Sequence, residues 1–120
     1  MAAESVLRNK CDYFALRIVN CYKFLQKDKN EHVMSKQLLR SGTSIGANVT
    51  EGIYAQSRND FLSKLSISLK EAQETSYWLR LLFKSAYLDD SQFASIHDDN
   101  EEIIRLLVAT IKTTKEKEKE

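Results

Sequence analysis

One stretch of this sequence limits its possible folds more than any other: residues Leu39 to Gly52, L-R-S-G-T-S-I-G-A-N-V-T-E-G. It sets Gly42 and Gly46 four residues apart among Ser41, Thr43, Ser44, Ala47 and Asn48. Residues four apart share a helix face, so these small side chains form a low, partly polar strip that a second backbone can approach closely. A glycine in a helix interior costs about 1 kcal/mol relative to alanine, so the pair costs roughly 2. Leu38, Ile45, Val49 and Ile53 nevertheless stay in phase across both glycines. The pattern predicts an unbroken helix in which close packing at Gly42, Gly46 and Ala47 offsets that cost.

The rest of the composition agrees with a helical chain. Among 120 residues there is no proline and there are only three glycines. Strands need turns, and turns need those residues. The length corresponds to about one domain. A net charge of +1 argues against a globally basic nucleic-acid binder but leaves room for a local basic patch. No apolar run approaches the roughly 20 residues that cross a bilayer, so Gly42 and Gly46 are read as a packing device within a soluble protein and no membrane partner is expected. Cys11 and Cys21, ten apart on one helix, lie about 15 Å apart along its axis, too far to bond to each other. They are expected as reduced, packed thiols in a cytoplasmic protein.

Four amphipathic segments are predicted, over about 5–27, 31–54, 58–87 and 90–114. Leu7, Cys11, Phe14, Ile18, Cys21 and Leu25 line one side of the first. Asn30 is placed to cap the second. Ser57 with Asp60 resembles a capping box opening the third, where Leu62, Leu65, Leu69, Ala72, Ser76, Leu79, Phe83 and Ala86 keep a three-four alternation. Asp89 or Asp90 caps the fourth, which carries Phe93, Ile96, Ile103, Leu107 and Ile111 before a charged tail expected to be mobile. Short connections between such segments predict an all-α, antiparallel up-down-up-down four-helix bundle.

The tight connection near Ser57 sets heights in the second and third helices. Residues whose numbers add to about 114 should lie level. That matches Arg40 with Glu74, Ser44 with Lys70 or Glu71, Ile45 with Leu69, and Asn48 with Ser66. The small strip is thereby expected to face the third helix. Arg40, Ser44, Asn48, Glu51, Glu71 and Glu74 are read as a polar network joining the two helices, since buried polar groups require partners. The other reading of the same residues is a binding site.

The strings Gln37-Leu-Leu-Arg-Ser-Gly-Thr-Ser-Ile-Gly-Ala-Asn-Val-Thr-Glu-Gly52 and Lys64-Leu-Ser-Ile-Ser-Leu-Lys-Glu-Ala-Gln-Glu-Thr-Ser-Tyr-Trp-Leu79 resemble one family. It is the four-helix-bundle family encoded in intervening sequences of bacterial 23S ribosomal RNA genes, often labelled S23. The resemblance implies a small up-down bundle that assembles as a homopentamer. It also points to a related group, the accessory variability proteins of retroelements, which bind nucleic acid and a reverse transcriptase. That group is markedly basic, whereas this chain is near neutral.

Two surfaces carry the remaining expectations. Between Tyr77 and Phe83 only Arg80 is polar, so Tyr77, Trp78, Leu81 and Leu82 are expected at a subunit interface. Intrachain core and, for Trp78, base stacking are the alternatives. Arg8, Lys10, Arg17, Lys23 and Lys27 form a basic set on the first helix, with Arg58 and Lys64 as possible additions. This set is read either as a solvated face or as a phosphate-tracking surface for RNA, multiplied by repetition around an oligomer.

Catalysis has no visible foothold, and no cofactor or metal is expected. There is no Glu-x-x-His pair of a di-iron bundle, no His-Glu-x-x-His zinc motif, and no Gly-Lys-Ser/Thr phosphate loop. The Arg-then-His spacing of helical ribonucleases of the HEPN type is also missing. His32 and His97 are expected at the surface. The sequence therefore predicts a non-enzymatic homo-oligomeric bundle that binds structured RNA or a nucleoprotein partner. The alternative is an assembly module with no affinity for nucleic acid.

Overall fold

The structure, a computed structural model, describes residues 2–118, with side chains over 3–117. It contains α1 (Ala2–Lys27), α2 (Met34–Ile53), α3 (Arg58–Lys84) and α4 (Asp90–Glu118). Each helix packs on its neighbours in the chain and α4 returns to α1, closing an antiparallel bundle 51 × 22 × 20 Å. The α2–α3 pair is the most extensive and α1–α4 the least.

The helix boundaries follow local chemistry. Asn30 takes a left-handed backbone (φ 53°) and does not cap α2; Glu31 does that work. Its carboxylate accepts from the backbone N–H of Val33 (3.0 Å), Met34 (3.0 Å) and Ser35 (2.7 Å), donors the first helical turn cannot satisfy itself. This is why α2 starts at Met34, three residues later than the sequence suggests. Ser57 Oγ accepts from the Asp60 N–H at 3.0 Å to open α3. A complete capping box opens α4: Asp89 Oδ1 accepts from the Gln92 N–H (2.8 Å) while Gln92 Oε1 accepts from the Asp89 N–H (3.0 Å).

The third helix ends three residues early for a reason the pattern hides. Ala86 has φ 70°, and the N–H groups of Ala86 and Tyr87 return to the carbonyls of Phe83 (3.0 Å) and Leu82 (2.9 Å). This is a Schellman stop, with alanine where glycine is usual. The fourth helix continues four residues past its expected end, with Lys115 and Lys117 complementing its negative pole. The last two residues of the expected charged tail lie outside the described residues.

Burial works to raise the Glu31 carboxyl pKa, but the backbone donors of Met34, Ser35 and Val33, with the Ser35 side chain, hold it below its ordinary value of 4.5. A depressed carboxyl stabilises the fold above its unfolded pKa and loses that contribution as pH falls through the folded pKa. Glu31→Gln is therefore expected to cost about 1–2 kcal/mol at neutral pH, within the range of a lost helix cap. The gap to wild type should close as pH drops below the carboxylate range, which denaturant melts at several pH values will measure.

The core is one stripe from each helix, with Phe14, Ile18, Leu38, Ile45, Leu65, Leu79, Leu82 and Leu107 at most 1% exposed. On α3 the stripe is rotated from the expected one. Leu62, Leu69 and Phe83 are only half-buried and Ala86 is exposed, while Ser68, Thr75 and Leu82 lie inside. The cause is the approach to α2. Ser68 Oγ donates to the Ile45 carbonyl at 2.8 Å. Thr75 Oγ1 donates to the Glu71 carbonyl at 2.8 Å and sits 2.9 Å from Ser41 Oγ. Small hydroxyl side chains, each with a partner, let the two backbones close in, and this turns Leu82 into the core.

The glycine strip faces a different helix from the one expected. A methyl group on Gly42 would lie 2.7–2.9 Å from three side-chain carbons of Ile18, and one on Gly46 would lie 3.2 Å from Cys11 Cβ. Both neighbours are on α1. The third glycine, Gly52, is the one set against α3, at Lys64 and Phe61. Ala47 points outward and is exposed, so it takes no part in close packing.

Candidate nucleic-acid interface

The outer side of α1 carries large apolar side chains that the fold leaves uncovered. Its inner residues bury Leu7, Cys11, Phe14 and Ile18, which obliges Tyr13 and Leu16 to point away. They are 63% and 65% exposed. Val6 is exposed on the same helix, as are Asn9 and Asn20. Arg8, Lys23 and Lys27 have no ion-pair partner among the described residues, and the two lysines are exposed.

The other two members of the basic set are bound within the chain. Arg17 Nη1 donates to Asp99 Oδ2 at 2.6 Å and to the Ser95 carbonyl at 3.1 Å, and Nη2 donates to Ser95 Oγ at 2.9 Å. Lys10 Nζ meets Glu102 Oε1 at 2.5 Å. The hydrogen bond to Glu102, with the charge of that carboxylate, holds Lys10 above its ordinary pKa. The sequence reading missed these partners. Antiparallel height-matching, applied only to α2 and α3, finds them on α1 and α4, where the paired residues' numbers add to 112–116.

The α2–α3 seam presents a second polar region. Arg40 reaches both Glu74 and Glu71, the latter at 3.3 Å, and Lys64 meets Glu51 at 3.2 Å. Ser44 and Asn48 do not join across the seam. Ser44 Oγ donates to the Arg40 carbonyl (2.6 Å) and Asn48 Nδ2 to the Ser44 carbonyl (2.8 Å), both one turn back on α2. Polar side chains on a helix surface readily bond their own preceding turn, and with the glycines turned to α1 no close partner faces them.

On α3, Trp78 is half-buried against the core and its Nε1 donates to Glu74 Oε2 at 2.9 Å. Tyr77 is 50% exposed and meets Trp78 edge-on, ring centroids 4.9 Å apart. Leu81 is half-buried. Leu82 is fully buried within its own chain, so its assignment to a subunit interface is wrong. Ile67, 40% exposed on the outer side of α3, replaces it as an outward apolar residue.

The two histidines differ. His32 is exposed and held by Asn30 and Gln26. His97 is not a surface residue: it is half-buried, stacked on Phe93 with centroids 4.7 Å apart, and its Nε2 lies 2.9 Å from Ser76 Oγ. Ser76 Oγ also accepts from Arg80 at 2.8 Å. Glu101 lies 3.5 Å from the same Nε2 rather than from Nδ1. A carboxylate there does not orient a base toward a serine as a triad requires. Both cysteines are free. Burial pushes the Cys11 thiol up to about 12 and the Cys21 thiol to about 11, so neither is an activated nucleophile. Among the described residues no three His, Cys, Asp or Glu side chains gather as a metal site would. No helix among them is long and apolar enough to cross a membrane.

Comparison with known proteins places this geometry. No curated protein matches the chain. A crystal structure of a protein of unknown function from the S23 ribosomal protein family of Bacteroides thetaiotaomicron is similar over 92% of this chain and 98% of its own. The two share 55% sequence identity and superpose with a TM-score of 0.91. The family model for the 23S rRNA-intervening sequence protein matches residues 4–109. With four antiparallel helices and a match over nearly all of its length, the chain belongs to the 23S rRNA-intervening sequence protein family.

Proposed function

We propose that this protein is a non-enzymatic helical module that binds RNA on the outer face of α1. The observation that carries the reading is the combination on that one helix of an exposed aromatic ring, Tyr13, with Arg8, Lys23 and Lys27, which no carboxylate neutralises among the described residues. Exposed rings stack on bases and unpaired cations track phosphates. The family's description ties its members to ribosomal RNA genes, which makes RNA the natural polyanion to try first. Two free thiols, Cys11 buried and Cys21 half-buried, fit a reducing cytoplasm.

Lys23→Glu with Lys27→Glu is the direct test, because both side chains are exposed and neither holds the fold together. Affinity for a labelled ribosomal RNA fragment should fall by about tenfold or more, and the salt dependence should become shallower by roughly 1.4–1.8 in log–log slope for two lost phosphate contacts. Unchanged helicity by circular dichroism accompanies the expected loss. Equal affinity in variant and wild type would remove α1 as the RNA face.

The binding module acts as an assembly of copies, five by resemblance to the family, through the outer face of α3. Ile67 and Tyr77 are exposed there beside half-buried Trp78 and Leu81, and apolar side chains left on an outer face suit a partner surface. Ile67→Asp with Tyr77→Asp should lower the mass seen by light scattering while the helical signal stays. A parent mass in the variant would exclude this face.

A further inference from the structure

We propose that Asp99 and Glu102 of α4 stand in for RNA phosphates, occupying Arg17 and Lys10 until a bound polyanion displaces them. This rests on the RNA-binding reading of α1 and adds its regulation.

The Arg17 site is the clearer of the two. Its guanidinium donates to one carboxylate oxygen, one carbonyl and one hydroxyl, at 2.6, 3.1 and 2.9 Å. Only one of these bonds reaches the carboxylate; the planar fork of a guanidinium can grip two oxygens of a phosphate at once, which Asp99 does not offer it here. Lys10, two turns away, presents a point charge to Glu102. Both pairs remain partly open to water, with side-chain exposures of 28% and 40% for Arg17 and Asp99, and 45% and 47% for Lys10 and Glu102. Ion pairs so exposed add little to stability, and their carboxylates regain water when released. Exchange of one anion for another is correspondingly easy.

The surroundings favour such an exchange. From Asp90 to Glu102 the fourth helix carries five acidic residues and no lysine or arginine, while α1 carries five cations and two acids. The α1–α4 contact is the least extensive of the four helix pairs. A cleft on this seam is lined by Asn9, Lys10, Tyr13, Asp99 and Glu102, with Phe14 and Ile103. A base stacked on Tyr13 brings its phosphate to Lys10 and Arg17, where the two carboxylates now sit. Lys23 and Lys27 supply the first contact, and the masked cations join once the carboxylates give way. The acids thereby select against weak or short anions and keep the surface near neutral when RNA is absent.

The test compares wild type, Asp99→Asn with Glu102→Gln, and a control pair, Asp98→Asn with Glu116→Gln, which removes the same charge from exposed positions that hold neither cation. Binding of a fluorescein-labelled oligouridine is measured across a salt series. The Asp99/Glu102 variant should bind about tenfold tighter at low salt with a slope close to that of wild type, because Lys10 and Arg17 reach phosphate in both complexes and only the displacement is spared, and the control should stay near wild type. Equal gains in variant and control would reduce the effect to net charge and overturn the proposal. Wild-type binding with no gain in the variant would overturn it and leave the RNA reading standing. Absence of binding in all three proteins would overturn both. Thermal melting without RNA checks the fold, and if the double variant unfolds, Glu102→Gln, from the more exposed pair, carries the same test alone.

Discussion

Gly42→Ala is expected to destabilise the protein by about 1–2 kcal/mol, even though alanine is the better helix former by about 1. The added methyl would sit 2.7–2.9 Å from Cγ1, Cγ2 and Cδ1 of Ile18, a fully buried side chain. A β-branched residue has little freedom at χ1, so Ile18 cannot swing aside and α1 must shift. Ile18→Ala alone should cost about 2–5 kcal/mol through the cavity it leaves. The double variant should cost less than the two singles together, by about 1 kcal/mol or more, because each change relieves the other. Gly46→Ala, only 3.2 Å from Cys11 Cβ, should be close to neutral. Denaturant midpoints for the four proteins give the cycle. A stabilised Gly42→Ala would mean that α1 and α2 are further apart than described.

The second large effect is at Leu82. With no exposed surface of its own, Leu82→Ala should cost about 2–5 kcal/mol, and the loss should not depend on protein concentration. Leu82→Asp should abolish the cooperative fold, since an unpaired charge cannot be carried into this core. Dissociation to a stable smaller species would instead return Leu82 to a subunit interface. The contrast with Ile67 and Tyr77, where aspartate should change mass and spare the fold, separates core from assembly on one helix.

Much of the architecture was legible from apolar periodicity and the short connections between segments. The four helices and the α1 stripe of Leu7, Cys11, Phe14, Ile18 and Leu25 follow from apolar spacing, and the antiparallel order follows from the short connections. The partner of the glycine strip did not. A strip of small residues says that some backbone comes close and does not say which, and both α1 and α3 flank α2. The hydroxyls of Ser68 and Thr75 were equally ambiguous, since polar side chains read as outward until a bonded carbonyl is found inside. That one ambiguity moved Leu82 from surface to core. Glu31 was missed as the cap because the favoured capping residues are short, and Asn30 lay beside it. On the candidate interface, the exposed lysines were visible in the sequence. The captivity of Lys10 and Arg17 depends on which residues of α4 lie level with them, and no motif records that.

Ultraviolet crosslinking of the protein to a ribosomal RNA fragment, with the modified residues located by mass spectrometry, tests the central functional claim most directly. The account predicts crosslinks on α1, at Tyr13 and in the segment carrying Lys23 and Lys27. Crosslinks confined to α2 and α3, around Arg40 or Trp78, would contradict it, as would none at low salt.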